Sequence, residues 1–372
     1  MKIPVSSPFL GEEETKLVSE AVAAGEISGN FGKFLPQFEK DFANYVGCEN
    51  GVAVSNGTTA LHLALAALDI GPGDEVLAGT FTNMATFFAI LYQGATPVPI
   101  DIEPDTWNIN PALIEEKITP RTKAILPIHI YGHPADMDPI MTIAKKHSLF
   151  VIEDAAEAHG ATYKGRPVGS FGDLNCFSFY ANKIITTGEG GMITTNNKEL
   201  AAKARMLGSL AYGREVRFRH EAVGFNYRLT NFQAALGCAQ LKKIETTINL
   251  KRDLAAFYDR ELAGISELQL PVQKDYAKNV YWMYHVVLRG KAEGRRQEVV
   301  AALKEAGIDT REAFLPYNLQ KPEITKGLVT TDACPIANNV AVNGFYLPSG
   351  PVLSEEERNY VAISLKEILA AL

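Results

Sequence analysis

The chain has few cysteines and no long apolar run. Its 372 residues include four cysteines that lie far apart and form no Cys-x-x-Cys pair: Cys48, Cys176, Cys238 and Cys334. This spacing argues against a disulfide framework and a zinc knuckle, and it predicts free thiols in a reducing cytoplasm. The first residues carry no signal-peptide run, and no stretch approaches about eighteen uninterrupted apolar residues, so no membrane span is expected.

Excess positive charge is also lacking. The chain has 36 Lys and Arg against 43 Asp and Glu, a formal charge of -7. This balance argues against a broad surface for nucleic acid or for anionic membranes, although a local basic site stays compatible with it. No Gly-x-Gly-x-x-Gly follows the first predicted strand, which argues against a dinucleotide-dependent oxidoreductase.

What the chain does have is a regular alternation of short apolar runs and stretches of helical spacing, from about residue 50 to residue 210. This pattern predicts an α/β fold with a mostly parallel sheet covered by helices on both faces. Seven strands are predicted, at 51–55, 75–78, 96–100, 124–128, 149–152, 174–180 and 191–195. Helices are predicted at 12–24 and 36–46 and throughout 232–262. The length predicts two domains, and we place their boundary inside this last helix, giving a large domain 1–245 and a smaller domain 246–372.

A lysine near the middle of the chain is the first candidate for chemistry. Lys183 lies in a glycine-flanked turn, five residues after Ser178 and just beyond the apolar run 176–180. A partly desolvated amine can lose its proton near neutral pH and form a Schiff base with an aldehyde such as pyridoxal phosphate (PLP). Loop lysines are usually solvated and inert, so this turn alone leaves both interpretations open.

The turn 55–59 is a candidate phosphate site. Gly57 and Thr58 stand between a predicted strand and the helical run 60–65. The free N–H groups and the dipole of a helix N-terminus favour a phosphate dianion there. Simple N-capping by a Ser or Thr side chain explains the same residues.

Acidic residues follow a predicted buried strand at 152–160. Asp154 comes at the carboxyl end of that strand, where a parallel sheet faces its ligand crevice. An aspartate there could keep a pyridine nitrogen protonated, which makes the ring an electron sink. The alternatives are an aspartate that caps the next helix and, for His159, a satisfied core or loop histidine.

Basic residues cluster at 214–228, where arginine side chains suit phosphate oxygens: Arg214, Arg217, Arg219, His220 and Arg228. A solvated charged loop would look the same. His129 and His133 have the spacing of a helical metal pair, but Gly132 and Pro134 argue against a helix, so no metal site is predicted.

Taken together, these motifs resemble the nucleotide-sugar aminotransferases of fold type I. The resemblance rests on Ser-Asn-Gly-Thr at 55–58, Glu-Asp-Ala-Ala-Glu-Ala-His-Gly at 153–160, Asn-Lys-Ile-Ile-Thr-Thr-Gly-Glu-Gly-Gly at 182–191 and Gly-Phe-Asn-Tyr-Arg at 224–228, and it spans nearly the whole chain. It implies PLP as cofactor and a large domain with a seven-stranded sheet, followed by a smaller α+β domain. Segments 153–158 and 131–138 are most similar to members that aminate GDP-linked sugars.

The resemblance also implies roles for single residues. Lys183 would hold the cofactor as a Schiff base and later shuttle a proton, Asp154 would pair with the ring nitrogen, and Glu157 would contact the ring hydroxyl. The implied phosphate ligands are Gly57, Thr58, Ser178 and, from the neighbouring subunit, Asn226. Arg228 would contact the substrate diphosphate, and His159 and Asn83 are further candidates on the substrate side. Asn83 stands where relatives carry an aromatic residue stacked on the cofactor ring, and Phe314 to Asn318 lack a histidine that relatives carry.

The expected function is therefore the transfer of an amino group from L-glutamate to C4 of a nucleotide-linked 4-keto-6-deoxy sugar. The expected setting is a cytoplasmic homodimer with shared active sites that serves surface polysaccharide or O-antigen synthesis, with no nucleic-acid or membrane partner. One alternative acts at C3 or C4 of a UDP- or dTDP-linked ketosugar. Another is a non-catalytic regulatory or binding protein, which would purify colourless.

Overall fold

The computed structural model describes residues 2–213, 216 and 218–372. In chain order its strands are β1 (Asn50–Val54), β2 (Glu75–Gly79), β3 (Thr96–Ile100), β4 (Thr122–Leu126), β5 (Phe150–Asp154), β6 (Thr162–Tyr163), β7 (Arg166–Pro167), β8 (Leu174–Ser178), β9 (Gly191–Thr195), β10 (Leu268–Gln269), β11 (Ala277–Lys278), β12 (Tyr284–Leu288), β13 (Arg311–Glu312) and β14 (Gly344–Leu347). Its α-helices are α1 (Glu12–Ala23), α2 (Phe34–Val46), α3 (Gly57–Ala67), α4 (Ala85–Tyr92), α5 (Met137–His147), α6 (Lys198–Gly208), α7 (Asn231–Lys242), α8 (Ile244–Leu262), α9 (Arg296–Glu305), α10 (Pro322–Thr325), α11 (Pro335–Asn343) and α12 (Glu355–Ala370).

A seven-stranded sheet in the order β1-β9-β8-β5-β4-β2-β3 forms the centre of the large part of the molecule. Its pairs from β8 to β3 are parallel, and β9 runs antiparallel to both β1 and β8. Every residue of β2, β8 and β9 is buried, because helices such as α3 and α6 cover the sheet. The predicted α/β fold with a mostly parallel seven-stranded sheet is confirmed.

The stretch predicted as one helix over 232–262 is two helices. The backbone departs from helical geometry at Lys243, with φ -115° and ψ 14°, and α8 starts at the next residue. The Lys243 ammonium pairs with Glu14 at 2.6 Å and lies over the ring of Phe9. This break lets α7 pack on α1 and α2 while α8 packs on α12. Hydrophobic periodicity did not reveal it, because the apolar spacing continues through the break.

A second hydrophobic cluster is formed mainly by residues after Leu254. It lies between the antiparallel sheet β10-β12-β14-β13 and helices α8, α9 and α12, and its largest members include Tyr258, Tyr284 and Phe345. Ile3 joins this cluster, since its N–H and carbonyl bond to Gly307 and Asp309. The boundary near 245 stays a prediction. Among the described residues no helix is both long and apolar enough to cross a bilayer.

Candidate active site

The carboxyl ends of the parallel strands open onto a cavity of about 390 Å³. Asp154 ends β5, Ser178 ends β8, and α3 begins at Gly57 shortly after β1. Side chains from distant parts of the chain therefore meet at one edge of the sheet, as expected for parallel strands. The cavity is lined by Asn56, Gly57, Thr58, Leu61, Thr82, Asn83, Ala85, Ile128, Asp154, Ala156, Glu157, Ser178, Tyr180, Asn182, Lys183, Glu189, Trp282, Phe314 and Tyr346.

Lys183 projects into this cavity from a tight turn. Its backbone N–H donates to the carbonyl of Tyr180 at 2.9 Å, and its side chain is only 11% exposed. The amine Nζ lies 3.9 Å from Oε1 of Glu157 and 3.7 Å from the ring centroid of Trp282. The indole Nε1 of Trp282 donates to the carbonyl of Asn182 at 2.8 Å. One aromatic residue thus contacts the amine and fixes the turn that carries it.

Burial shifts the pKa values of this lysine and its acidic neighbour. It lowers the pKa of Lys183 because a poorly solvated ammonium is disfavoured, while the charges of Glu157 and Asp154 act in the opposite direction. Burial likewise raises the pKa of Glu157 to about 7, against the opposing charge of Lys183. Both shifts favour the neutral forms, and the neutral amine is the form of a lysine that attacks an aldehyde.

Asp154 also lines the cavity and is held by two donors. Its Oδ2 accepts from the hydroxyl of Thr86 at 2.8 Å, and its Oδ1 accepts from the N–H of Ala156 at 3.2 Å. Burial raises the pKa of Asp154, whereas the Thr86 hydrogen bond lowers it. The carboxylate is therefore fixed in position without an arginine or lysine in direct contact among the described residues, and it can receive a cationic N–H from a ligand.

The carboxylate of the preceding residue, Glu153, accepts hydrogen bonds from groups of the protein interior instead. Glu153 is fully buried and accepts from Nε2 of His129 at 2.9 Å and from the N–H groups of Gly169, Phe171 and Gly172. The Nδ1 of His129 accepts from the N–H of Ala135. Among residues 2–213, 216 and 218–372, no group of three or more His, Cys, Asp or Glu side chains is placed to hold a metal ion.

The N-terminus of α3 lies against Ser178. Asn56 caps this helix, with Oδ1 accepting from the N–H of Thr59 at 2.9 Å, and Gly57 and Thr58 line the cavity. A Cβ added at Gly57 would lie 2.8 Å from Cβ of Ser178, so the close approach requires glycine. The turn is thus both an N-cap and a part of the cavity wall, and its helix end can attract an anion.

These features fit PLP. A buried amine, a buried carboxylate and a helix N-terminus surround one cavity, matching the aldehyde, ring nitrogen and phosphate of the cofactor. In addition, Oδ1 of Asn182 is buried at the cavity wall with no hydrogen-bond partner among the described residues. An unpaired buried acceptor of this kind is costly unless a ligand supplies a donor.

The contact of His159 with a substrate stays a prediction. The imidazole is fully buried and does not line the cavity. It packs between the rings of Phe42, Phe177 and Phe179 at centroid distances of 5.3 to 6.1 Å. Burial, with a smaller effect of the Lys183 charge, lowers the pKa of His159 to about 3, so the ring is a neutral core group.

Two further predicted residues lie outside the cavity of their own chain. Oδ1 of Asn226 accepts from the guanidinium of Arg228, which also donates to Asn30 at 3.2 Å. Asn226 is exposed, and neither side chain lines the cavity. Within the basic cluster, Arg214 and Arg217 lie outside the described residues. Asn83 does line the cavity, where its Oδ1 accepts from the N–H of Ala85.

Several residues of the site and its support were missed by sequence analysis. Trp282 and Tyr346 come from the C-terminal part of the chain, and Thr86 lies on α4, where its contact to Asp154 has no local signature. Phe314 was noted only as part of a divergent segment. The one usable signal was the rarity of tryptophan, because Trp282 is one of two in the chain.

Comparison with known proteins finds similar chains of known activity class. The chain is 43% identical over 369 residues to the GDP-perosamine synthase of Caulobacter vibrioides, covering 99% of this chain and 98% of the relative. It is 40% identical to the GDP-perosamine synthase of Escherichia coli O157:H7, covering 98% of both chains. The PLP form of a protein assigned as a sugar aminotransferase from Streptococcus pneumoniae superposes with a TM-score of 0.94 at 27% identity, covering 100% of this chain and 99% of that one.

The predicted fold type, the PLP cofactor and the class of reaction are confirmed by these similarities. The model of one enzyme family matches nearly the whole chain, from residue 8 to residue 366. The match includes every residue of the cavity wall. The chain therefore belongs to the DegT/DnrJ/EryC1/StrS aminotransferase family.

Proposed function

We propose that the protein transfers an amino group from L-glutamate to C4 of a GDP-linked 4-keto-6-deoxy sugar, in the cytoplasm and for a surface polysaccharide such as O-antigen. The single observation that carries this proposal is the full-length similarity to three relatives named GDP-perosamine synthase, which are 43%, 40% and 35% identical. Family membership sets aside the non-catalytic and dinucleotide-dependent alternatives.

Lys183 and Asp154 are the proposed catalytic residues. When bound, PLP supplies an electron-withdrawing ring that stabilises negative charge on the adjacent carbon. Lys183 anchors the cofactor and then takes and returns a proton at Nζ, a role supported by the burial that lowers its pKa. Asp154, held by Thr86, pairs with the ring nitrogen through its buried carboxylate.

The other proposed cofactor contacts are residues that line the cavity. Glu157 would contact the ring hydroxyl, a role supported by its position beside Lys183 and by the N–H of Tyr131, which fixes its carboxyl at 2.8 Å. Gly57, Thr58 and Ser178 would hold the phosphate at the N-terminus of α3. Asn83 and the aromatic side chains of the C-terminal part of the chain would then face the sugar; these are Trp282, Phe314 and Tyr346.

A homodimer with shared sites is part of this proposal. Asn226 would contact the phosphate of the cofactor bound in the neighbouring subunit, and Arg228 would contact the substrate diphosphate. The position of both residues outside the cavity of their own chain supports these roles. The neighbouring segments expose large apolar side chains: Phe31 is 72% exposed, Phe218 76% and Val223 89%. Such exposure is typical of surfaces that a second subunit covers.

The alternative substrate is a UDP- or dTDP-linked ketosugar aminated at C3 or C4. A panel of GDP-, UDP- and dTDP-linked ketosugars incubated with glutamate distinguishes these cases when the product is identified by mass spectrometry. We expect amination at C4 of the GDP-linked 4-keto-6-deoxy sugar, and preferential amination of another panel member would contradict the proposal.

The role of Lys183 has its own test. Borohydride reduction followed by peptide mapping is expected to label Lys183, and Lys183→Ala is expected to abolish turnover while the fold stays intact. Turnover by this variant, or labelling at another lysine, would exclude the proposed anchor.

A further inference from the structure

Lys251 is a buried cation outside the cavity. Its side chain leaves α8 and is 2% exposed. The ammonium donates to the carbonyl of Trp282 at 3.0 Å and to the carbonyl of Ser349 at 2.7 Å. No carboxylate of the described residues forms an ion pair with it, and burial alone lowers its pKa to about 7.

A lysine is a costly residue at such a place. Burying an ammonium without a counter-charge is unfavourable, and an apolar side chain of similar length would fill the space without that cost. What the lysine adds is a pair of donors that fix two backbone carbonyls from different segments. One segment leads into β12, and the other follows β14.

The segment before β12 has an irregular backbone that such bonds can hold. Tyr281 has a φ of +49°, a left-handed conformation that is unfavourable for a tyrosine. Its N–H donates to Oδ1 of Asn279 at 2.7 Å, and Arg252 donates to the carbonyl of Asn279 at 2.9 Å. Lys251 fixes the next position, Trp282, at its carbonyl.

Trp282 connects this backbone to the reactive amine. Its ring lies 3.7 Å from Nζ of Lys183, and its indole N–H holds the carbonyl of Asn182, the residue before that lysine. A desolvated ammonium beneath an indole face is stabilised by the negative charge of the ring face. A displacement of Trp282 would therefore change both the electrostatics and the position of Lys183.

We propose that Lys251 is a positioning residue for Lys183 and acts through the backbone and ring of Trp282. The functional meaning of this contact rests on the proposed role of Lys183 as the cofactor lysine. The contact itself is a property of the chain alone, so it can be measured without turnover.

The test measures the pKa of Lys183 in the full-length chain freed of cofactor. Labelling with acetic anhydride over a range of pH values, followed by peptide mass spectrometry, gives the pKa of this one amine. We expect Lys251→Met to lower the pKa of Lys183 by about one unit, because the backbone of Trp282 is no longer held and its ring moves away from the ammonium. Arg260→Met, an exposed position on the same helix α8 whose guanidinium pairs with Glu261, is the control and should leave that pKa unchanged.

A double-mutant cycle identifies the route of the effect. In a Trp282→Leu background, Lys251→Met should cause no further shift, because the ring through which it acts is gone. Equal shifts in both backgrounds, or no shift in the single variant, would overturn the proposal. If Lys251→Met does not fold, as judged by circular dichroism, Lys251→Gln takes its place in the same cycle.

These outcomes are separable from those of the proposed function. If borohydride labels no cofactor on Lys183, the proposed function fails while the labelling cycle still reports on Lys251. If the cofactor is found on Lys183 but the cycle shows no coupling, only the role of Lys251 is lost.

Discussion

Oε1 of Glu157 lies 3.9 Å from Nζ of Lys183, and both side chains are almost completely buried. At this distance and burial each group controls the charge of the other. Burial raises the pKa of Glu157 to about 7 and lowers the pKa of Lys183, while the charge of each group favours the charged form of the other. The charge of Glu157 therefore opposes the effect of burial on the amine.

Removing the charge of Glu157 should make Lys183 more reactive in the cofactor-free chain. Because the carboxylate favours the ammonium, Glu157→Gln is expected to lower the pKa of Lys183 by about one unit or more, as read from acetic anhydride labelling. Glu189→Gln, at an exposed position of the same cavity, is the control. An unchanged Lys183 pKa in Glu157→Gln would show that the two groups do not interact.

Thr86 should matter through Asp154. Thr86→Val keeps the shape of the side chain but removes the hydroxyl that donates to Oδ2, so the pKa of Asp154 rises and the carboxylate is less firmly held. We expect kcat/KM to fall about tenfold, the equivalent of one hydrogen bond of about 1.4 kcal/mol. Thr247→Val, a buried threonine on α8, serves as control. Full activity of Thr86→Val would argue against this support.

Gly57 should be required for cofactor binding. Gly57→Ala brings a methyl group within 2.8 Å of Ser178 Cβ and forces the N-terminus of α3 away from β8. The expected result is a weaker affinity for PLP, by about tenfold or more if one phosphate hydrogen bond to the helix end is lost. The affinity is measured by adding PLP to the protein and following the absorbance of the bound cofactor. Gly71→Ala, where the added Cβ meets nothing closer than 3.7 Å, should bind PLP as the unchanged protein does.

His159 should influence stability rather than catalysis. Its pKa is lowered to about 3 in the fold, so between that value and its ordinary pKa of about 6.5 the unfolded chain binds more protons. The fold therefore loses stability as the pH falls through this window. We expect the free energy of unfolding of His159→Leu to fall less between pH 7 and pH 5 than that of the unchanged protein. The difference should be on the order of 1 kcal/mol and is measured by urea unfolding.

The activity of His159→Leu decides whether the imidazole contacts substrate. Since His159 does not line the cavity, the folded variant should keep its KM for the ketosugar. A large increase in KM at pH 7, with an unchanged fold, would support a contact between His159 and the substrate.

Local sequence patterns predicted the positions of those parts of the site that lie at strand ends. Asp154 and Ser178 close buried strands, and Lys183 and Gly57 lie in short turns beside them, so apolar runs and glycine positions were sufficient to bring them to one edge. The alternation of strand residues also separates Glu153, which faces the interior, from Asp154, which faces the cavity. Sequence alone did not distinguish these two carboxylates by role.

Contacts between distant segments were not accessible in this way. Trp282, Thr86 and Lys251 have no local pattern that points to the site, because their roles come from packing across the fold. His159 lies close to the site within its motif, but its side chain packs in a cluster of phenylalanines that no local pattern indicates.

The sequence by itself determined the parallel sheet and the order of the motifs at its edge, because apolar periodicity and glycine turns act over a few residues. Only the tertiary structure decided which side chains close the cavity and how their charges are balanced. Burial and through-space distance set those pKa values, and both depend on segments that meet only when the chain is folded.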